Sequence, residues 1–404
     1  MRMVYTNAAP ASRGPGLAAR RTPARVARSR PRVAPCRAEL SKSSKVLITG
    51  AGGRTGQLVL KKLSDNGVAV RGMFRTEKSK SKVAKQLEGA EAEVDLVVGD
   101  VSSPQDVRGA VEGCTHLVVL SSAKPQIKKR SLVRIVLKKL LRMDPGRPSF
   151  RWIENGAPEV VDYLGGKAQI DAARAAGLEQ VVWVGSMGGT QSDNFLNTIG
   201  DGKILLWKRK AEKYLMDSGV KFTIVHPGGL LNEKEGEREL VVDVDDKILE
   251  GEQRSVPRGD VADVVVGCLG EEAAYDLAFD LASKKPEDGK GGAEVTALLA
   301  TLGGRSCDYK INDDDVESLV LSDEYVGLEE SITSMFPAPA PAPAAAAKEA
   351  LPEVDVSELR WAGEETAEEE EPELRWVGET TSSATSAEVT EEKARDPADA
   401  WYSW

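Results

Sequence analysis

Residues 46–56, which read VLITGAGGRTG, constrain the fold of this chain more than any other segment. A short apolar run ends in a glycine-rich turn, and a helix-forming stretch follows. Because glycine lacks a Cβ, the backbone turns sharply and a pyrophosphate can come close. The free N–H groups of the new helix then face that anion. The alternative is a surface turn without a ligand. The residues expected to bind a dinucleotide here are Gly50, Gly53, Arg54, Thr55 and Gly56.

Two arginines near this turn indicate which dinucleotide it binds. The second predicted strand is followed by Arg75, where NAD-selective sites usually carry an acidic residue. A guanidinium there, with Arg54 in the turn itself, suits the 2′-phosphate of NADP by charge and by fork geometry. We therefore expect NADP(H) rather than NAD. The alternative is an exposed arginine at a strand end.

Other residues at the ends of predicted strands fit the same ligand. An acidic residue at position 100 can accept a hydrogen bond from adenine while Val101 packs on the ring; capping a turn is the alternative role. Two serines let the cofactor pass close, and a Pro-Gly turn offers the nicotinamide a rigid surface. His226, directly before that turn, is interpreted as a structural histidine, and an acid/base role is the alternative. The further residues expected to contact the cofactor are Asp100, Val101, Ser121, Ser122, Pro227 and Gly228.

Charge is concentrated at the two ends of the 404-residue chain. Residues 1–42 contain nine Arg and one Lys but one acidic residue, whereas residues 337–404 contain seventeen acidic residues and five basic ones. The rest is mildly acidic, so nucleic acid is not expected as a partner. No apolar run reaches the ~18 residues of a membrane span, and none is expected.

The first 42 residues have the composition of an organelle-targeting peptide. They are rich in Arg, Ala, Ser and Pro and contain no long apolar stretch. We expect a chloroplast transit peptide that leaves a stromal protein starting near residues 36–39. Mitochondrial import and a disordered basic arm are the alternatives.

The cysteines do not indicate a metal site or a disulfide framework. Cys36, Cys114, Cys268 and Cys307 lie far apart, and the chain has two His. Zinc sites and disulfide scaffolds depend on characteristic close spacings, so reduced thiols and no metal are expected.

Short apolar runs alternate with amphipathic segments between residues 45 and 283, which is typical of a parallel sheet with helical crossovers. The predicted strands are 45–49, 68–74, 94–98, 116–121, 180–185, 221–225 and 277–281. The predicted helices are 55–66, 79–88, 104–112, 159–176, 203–218 and 259–269. This order predicts one α/β domain over 43–290, a doubly wound, Rossmann-like parallel sheet. A helical annex or extension is expected over 291–336.

Residues 122–158 interrupt the alternation. Residues 124–142 are basic, with apolar residues at helical spacing. An excursion after the fourth strand lies at the ligand-binding edge of such a sheet, which favours a lid or substrate loop. A solvated amphipathic helix that packs on the rim is the alternative.

The C-terminal region has two parts. Residues 337–347, PAPAPAPAAAA, are typical of a stiff, extended linker, and the acidic tail 348–404 is too polar to bury a core and is expected to be disordered. Within it ELRWAGE (358–364) and ELRWVGE (373–379) repeat a motif. Trp is a favoured binding anchor, so two copies predict bivalent docking to an unknown protein partner. Turns that fold back onto the body, or a duplication without function, are the alternatives.

The motifs together resemble the atypical branch of the short-chain dehydrogenase/reductase superfamily. ITGAGGRTG (48–56), VVGDV (97–101), VGSMGG (184–189), AEKYLMDSG (211–219), TIVHPGGLL (223–231) and VPRGDVADV (256–264) occur in the family's order. They are also similar to small plastid NADP-binding proteins and to the dehydrogenase part of a redox-linked component of the chloroplast inner-envelope import machinery. The resemblance covers about residues 45–285.

The resemblance implies a catalytic site that is incomplete here. In the family a Ser acts with a Tyr and a Lys four residues apart: the Tyr transfers the proton, and the Lys lowers the pKa of the Tyr and holds the nicotinamide ribose of the cofactor. Ser186 and Lys208 match the Ser and the Lys, but the Tyr position is then Ile204. Taking Lys210 as the Lys places Leu206 there instead.

Two functions are therefore expected from the sequence. The first is an NADPH-dependent reductase of the chloroplast with an unknown substrate. Its non-standard proton donor is either Ser186 with Lys208 or a residue of the 122–158 segment. The second is a catalytically weak NADP(H) sensor or scaffold that recruits a partner through its tail. RNA binding is disfavoured by the acidic body.

Overall fold

A mostly parallel sheet forms the centre of the structure. This computed structural model describes residues 40–337, apart from positions 42, 88, 90, 91, 290 and 293. The strands are β1 (Lys45–Thr49), β2 (Ala69–Phe74), β3 (Val94–Val98), β4 (His116–Val119), β5 (Gln126–Ile127), β6 (Phe150–Arg151), β7 (Gln180–Val184), β8 (Phe222–Pro227), β9 (Gly229–Leu231), β10 (Leu240–Asp243), β11 (Ser255–Pro257) and β12 (Leu277–Ser283). The α-helices are α1 (Arg54–Asp65), α2 (Glu77–Ala84), α3 (Pro104–Val111), α4 (Lys129–Leu140), α5 (Gly165–Ala175), α6 (Phe195–Thr198), α7 (Ile204–Asp217), α8 (Arg258–Cys268), α9 (Val295–Ala300), α10 (Asp313–Glu317) and α11 (Asp323–Met335).

Eight strands share one sheet in the order β10-β12-β8-β7-β4-β1-β2-β3. All neighbours are parallel except β10, which is antiparallel to β12. Strands β2 and β3 follow on one side of β1, and the chain then crosses to the other side of β1, where β4 lies. This is a doubly wound arrangement, so the predicted fold class is confirmed. Its ligand crevice lies at the carboxyl ends of β1 and β4, where the strand order reverses.

The core lies on both faces of this sheet. Strands β4, β7, β8 and β12 are buried along their whole length because helices cover both faces. Helix α1 buries Val59, Leu60 and Leu63, which its helical spacing places on one side. Since α1 begins directly after Gly53, its first N–H groups point into the crevice.

Most predicted elements lie within a few residues of their predicted bounds, with three differences. The predicted strand 116–121 ends at Val119. The predicted helix 159–176 consists of a π-helical segment, Glu159–Leu164, that continues into α5. The pattern missed the short strands β5, β6, β9, β10 and β11, which have two to four residues each, and the four-residue helix α6.

The excursion after β4 is a hairpin-based insertion. Strand β5 pairs antiparallel with β6, and α4 lies between them. Ser131 is the one buried residue of α4. The helix therefore forms as the pattern predicted, but its apolar side does not pack on the rim.

Residues 294–337 contain three helices that attach to the sheet domain. Val316 of α10 and Ile332 of α11 are fully buried, and Arg174 of α5 donates a hydrogen bond to the carbonyl oxygen of Phe336. The predicted leader, most of the linker and the acidic tail with its repeats lie outside the described residues. Within the described part, no helix combines the length and apolar character needed to cross a membrane.

Candidate functional site

The glycine-rich turn packs against the end of β4 so closely that side chains are excluded. Gly50 has a φ of +66°, and a Cβ on it would lie 2.5 Å from the carbonyl carbon of Leu120. A Cβ on Gly56 would lie 2.4 Å from the Gly50 carbonyl oxygen. The turn is closed by a hydrogen bond from Gly53 N to Gly50 O of 2.8 Å. This cradle brings bare backbone to the crevice and fits a pyrophosphate.

A cavity of about 250 Å³ opens above this turn. The predicted cofactor residues that line it are Gly50, Gly53, Arg54, Thr55, Gly56, Arg75, Asp100, Val101, Ser121, Ser122 and Lys208. Pro227 and Gly228 are not among the lining residues; Leu230, two residues further on, is. A Cβ on Gly228 would meet the carbonyl oxygen of Arg254 at 2.2 Å, so that glycine allows the start of β9 to approach the start of β11.

One corner of the cavity carries three positive charges. Arg54, Arg75 and Lys124 all line it. Burial, together with the charges of Arg75 and Arg54, lowers the pKa of Lys124. Among the described residues, no carboxylate lies within the 4.0 Å salt-bridge distance of these three cations. An uncompensated cluster of this kind fits a phosphate group. In the sequence, Lys124 stands out only as the first residue of the basic run 124–142.

Asp100 has a local partner. Its Oδ1 accepts hydrogen bonds from the backbone N and the Oγ of Ser102, at 3.0 and 2.8 Å. The carboxylate therefore stabilises the turn before α3 while it lines the cavity beside Val101.

Lys208 is buried at the far end of this cavity. Its Nζ lies 2.7 Å from Oδ1 of Asp162, which belongs to the π-helical segment. The other carboxylate oxygen of Asp162 accepts a hydrogen bond from Ala123 N at 3.1 Å. The ion pair thus ties α7 to the chain that leaves β4, and it fixes the ammonium group in the cavity wall. Nothing in the sequence pattern indicated Asp162.

A second, largely apolar cavity of about 150 Å³ adjoins the first. Its aromatic walls are Phe150, Trp152 and Phe195. Ile204, the residue at the family's Tyr position, is also part of the wall, so no phenol is available there. Ser122, Ala123, Lys124 and Lys208 line both cavities, which places Lys208 at their junction.

Ser186 lies on the apolar cavity next to a buried polar cluster. Its Oγ donates a hydrogen bond to the carbonyl oxygen of Met187 at 3.1 Å. Ser186 and Lys208 also line a small cavity of about 10 Å³, together with Glu212 and His226. That volume is close to the smallest that holds one water molecule.

His226 lies between two buried carboxylates. Its Nε2 is 3.2 Å from Glu212 Oε2, and its Nδ1 is 3.3 Å from Asp280 Oδ1. Burial alone would lower the pKa of His226, but Tyr309, Glu212 and hydrogen bonds with Asp280 and Cys307 raise it well above its usual range. Tyr309 also donates a hydrogen bond to Glu212 at 3.0 Å. The histidine is therefore a buried, fully partnered group whose charged form is favoured.

Known proteins resemble the part of the chain that builds these cavities. Residues 50–272 match the family model described as NAD(P)H-binding. An uncharacterized chloroplastic protein of Arabidopsis thaliana is 45% identical over 262 residues, 64% of this chain and 75% of that protein. Sanguinarine reductase of Eschscholzia californica is 40% identical over 275 residues, 66% of this chain and 98% of the reductase. The chloroplastic protein TIC 62 of Oryza sativa is 29% identical over 220 residues, 52% of this chain and 41% of that protein.

Proposed function

Because the chain belongs to the NAD(P)H-binding family, within the atypical short-chain dehydrogenases/reductases, we propose that it is an NADPH-dependent oxidoreductase with a non-standard proton donor. The observation that carries this proposal is the position of Lys208. Its ammonium group, held by Asp162, lies where the dinucleotide cavity meets the apolar cavity. A reaction between a cofactor and an apolar substrate would take place at that junction.

The cofactor would extend along the carboxyl edge of the sheet. Its pyrophosphate would lie on the glycine turn and its 2′-phosphate against Arg54, Arg75 and Lys124, whose charges support NADPH over NADH. Lys208 would hold the ribose hydroxyls next to the nicotinamide. NADPH supplies a hydride when bound, and the protein supplies its orientation.

The apolar cavity sets the class of substrate. Three aromatic side chains and few polar groups favour a planar, apolar molecule with an electron-poor C=C, C=N or quinone bond. The name of the relative from Eschscholzia californica, sanguinarine reductase, agrees with such a substrate class. Because Phe150 belongs to the insertion after β4, that insertion would determine specificity.

The proton that the substrate takes up would come from the Ser186 hydroxyl, which His226 and Glu212 would resupply. A water in the small cavity would connect the Ser186 hydroxyl to His226 and Glu212. The raised pKa of His226 favours its protonated form, which would return a proton to Ser186 along this route. This route would replace the missing Tyr, since Ile204 has no proton to give.

Steady-state NADPH oxidation with a panel of quinones, enals and aromatic iminium compounds tests the proposal. Lys208→Met should reduce kcat/KM at least about 100-fold. Lys210→Met is the matched control, because Lys210 lies on the same helix but donates to the carbonyl oxygen of Leu319. Equal activity of the two variants would contradict the proposal.

A second candidate is a cofactor sensor or scaffold that recruits an unknown protein partner through the 358–364 and 373–379 repeats. The apolar Ile204 at the Tyr position favours it. It predicts tight NADPH binding with no turnover on any substrate of the panel.

The chain would act in the chloroplast, and in its stroma. The leader composition and the chloroplastic names of two relatives support this location. Residues 1–42 fused to a fluorescent protein should direct it to plastids; accumulation in mitochondria would contradict the assignment.

A further inference from the structure

The exposed large apolar side chains of the described chain are concentrated on one helix. Val133, Val136 and Leu140 of α4 are 69%, 68% and 78% exposed. We call the α4 face the group formed by Leu132, Val133, Val136, Leu137, Leu140, Leu141 and Met143. Apolar side chains of this size rarely form an exposed group on a protein that has no use for it, so the face marks an interaction site.

The geometry of α4 directs this face away from the domain. Within α4, the apolar residues form pairs repeated every four positions, which lie on one side of the helix; Leu141 and Met143 follow its last residue. The opposite side holds Ser131, whose Oγ donates to Lys128 O at 2.8 Å and accepts from Ser149 N at 3.1 Å. These bonds fix the helix on its hairpin base with the apolar side outward.

The charge around the face restricts its partner. Residues 124–142 contain eight Lys and Arg and no acidic residue. A second copy of the helix would bring like charges together, which disfavours self-association. The partner that fits is an acidic segment with large apolar anchors.

The same chain contains such a segment. Residues 358–379 hold nine acidic and two basic residues, and Trp361 and Trp376 lie fifteen positions apart within them. We propose that residues 358–379 dock on the α4 face of their own chain, with Leu and Trp on the apolar side chains and carboxylates beside the Lys and Arg. Trp anchors surrounded by complementary charge are typical of binding hot spots.

The connection is long enough. The last described residue is Pro337, and position 358 follows 21 residues later. At ~3.1 Å per residue for a Pro-rich linker, this chain spans about 60 Å. A domain of about 300 residues has a radius of gyration near 19 Å, so a linker of this length reaches most of its surface. The tether also raises the effective concentration of the segment at the face.

Hydrogen–deuterium exchange on the full-length protein tests the docking. In the Trp361→Ala/Trp376→Ala variant, the amides of residues 129–143 should exchange about tenfold faster than in the wild type. Trp401→Ala/Trp404→Ala is the matched control, since it removes two Trp from the same tail outside the segment, and it should leave exchange unchanged. High salt should accelerate exchange in the wild type and have little further effect on the first variant.

Three results would overturn the proposal. The first is equal exchange of α4 in all three proteins. The second is protection that disappears on dilution, which would assign the contact to a second copy. The third is protection of α4 that arises only with vesicles containing phosphatidylglycerol and is the same in all three proteins, which would assign the face to an anionic membrane.

Discussion

Lys208 Nζ lies 2.7 Å from Asp162 Oδ1, and both side chains are buried. A buried ion pair gains little net stability because both charges lose their hydration. Its value here is positional: the pair holds one ammonium group at the junction of two cavities. The contact also joins α7 to the π-helical segment, two elements far apart in the sequence.

Removing one charge of this ion pair should destabilise the folded protein. Lys208→Met leaves the Asp162 carboxylate buried without a counter-charge, so the free energy of unfolding should fall by about 3–5 kcal/mol. Adding Asp162→Asn to that variant should restore most of the loss. Urea unfolding of the three proteins measures both effects. A single variant as stable as the wild type would show that the pair is not formed.

The positive corner should determine the choice between cofactors. Arg75→Asp should raise the Kd for NADPH at least about tenfold, because it removes a charge-assisted contact and adds a repulsive charge. The Kd for NADH should change much less. Arg108→Asp, an exposed change on α3, is the control for net charge. Equal weakening of both cofactors would remove the basis for assigning the 2′-phosphate to this corner.

Substitutions at two glycines distinguish the cost of a strained backbone from the cost of a steric clash. Gly50 and Gly67 both have positive φ, but nothing lies within 4 Å of a Cβ on Gly67. Gly67→Ala should therefore cost about 1 kcal/mol. Gly50→Ala should cost at least about 3 kcal/mol and abolish NADPH binding, since its Cβ would overlap Leu120. Thermal unfolding with and without NADPH compares them, and similar losses in both variants would contradict the close approach of the turn to β4.

Asp260 should make stability depend on pH. Burial raises its pKa from 3.8 to about 6, and its Oδ2 has no hydrogen-bond partner among the described residues. The folded state then holds more protons than the unfolded state between pH 4 and 6, so stability falls as pH rises through that window. The full effect is about 3 kcal/mol.

Asp260→Asn should remove this dependence, because an amide oxygen can still accept the hydrogen bond from Gly236 N. The variant should match the wild type near pH 4 and exceed its free energy of unfolding by about 1–3 kcal/mol at pH 8. Asp263→Asn is the comparison variant, because it removes the carboxylate that forms an ion pair with Lys62. A constant difference at all pH values would argue against the raised pKa.

The main strands and the glycine turn were predictable because their signals are local. Apolar β-branched runs mark β1, β7 and β8, and the turn chemistry of the glycine segment follows from backbone geometry. The short strands β9 and β11 carry no such period, since three residues are too few to show one. Their pairing depends on how the end of β8 packs, which only the folded chain determines.

The site was predictable where it lies at strand ends and not where it depends on packing. Arg75 directly follows β2 and Ser121 lies two residues after the end of β4, so the topology places both in the crevice. Asp162 reaches Lys208 only because a π-helical segment packs against α7. Lys124 joins the arginines only because the insertion begins there. Of the two interpretations of 122–158, the structure does not support an apolar side of α4 packed on the rim, because the buried residue of that helix is Ser131 on its polar side.

The proposed function requires that the glycine turn and the positive corner bind a phosphorylated dinucleotide. Isothermal titration calorimetry of the purified protein with NADPH and with NADH tests it most directly. We predict one NADPH per chain, bound at least about tenfold more tightly than NADH. No heat with either cofactor, or equal affinity for both, would contradict it.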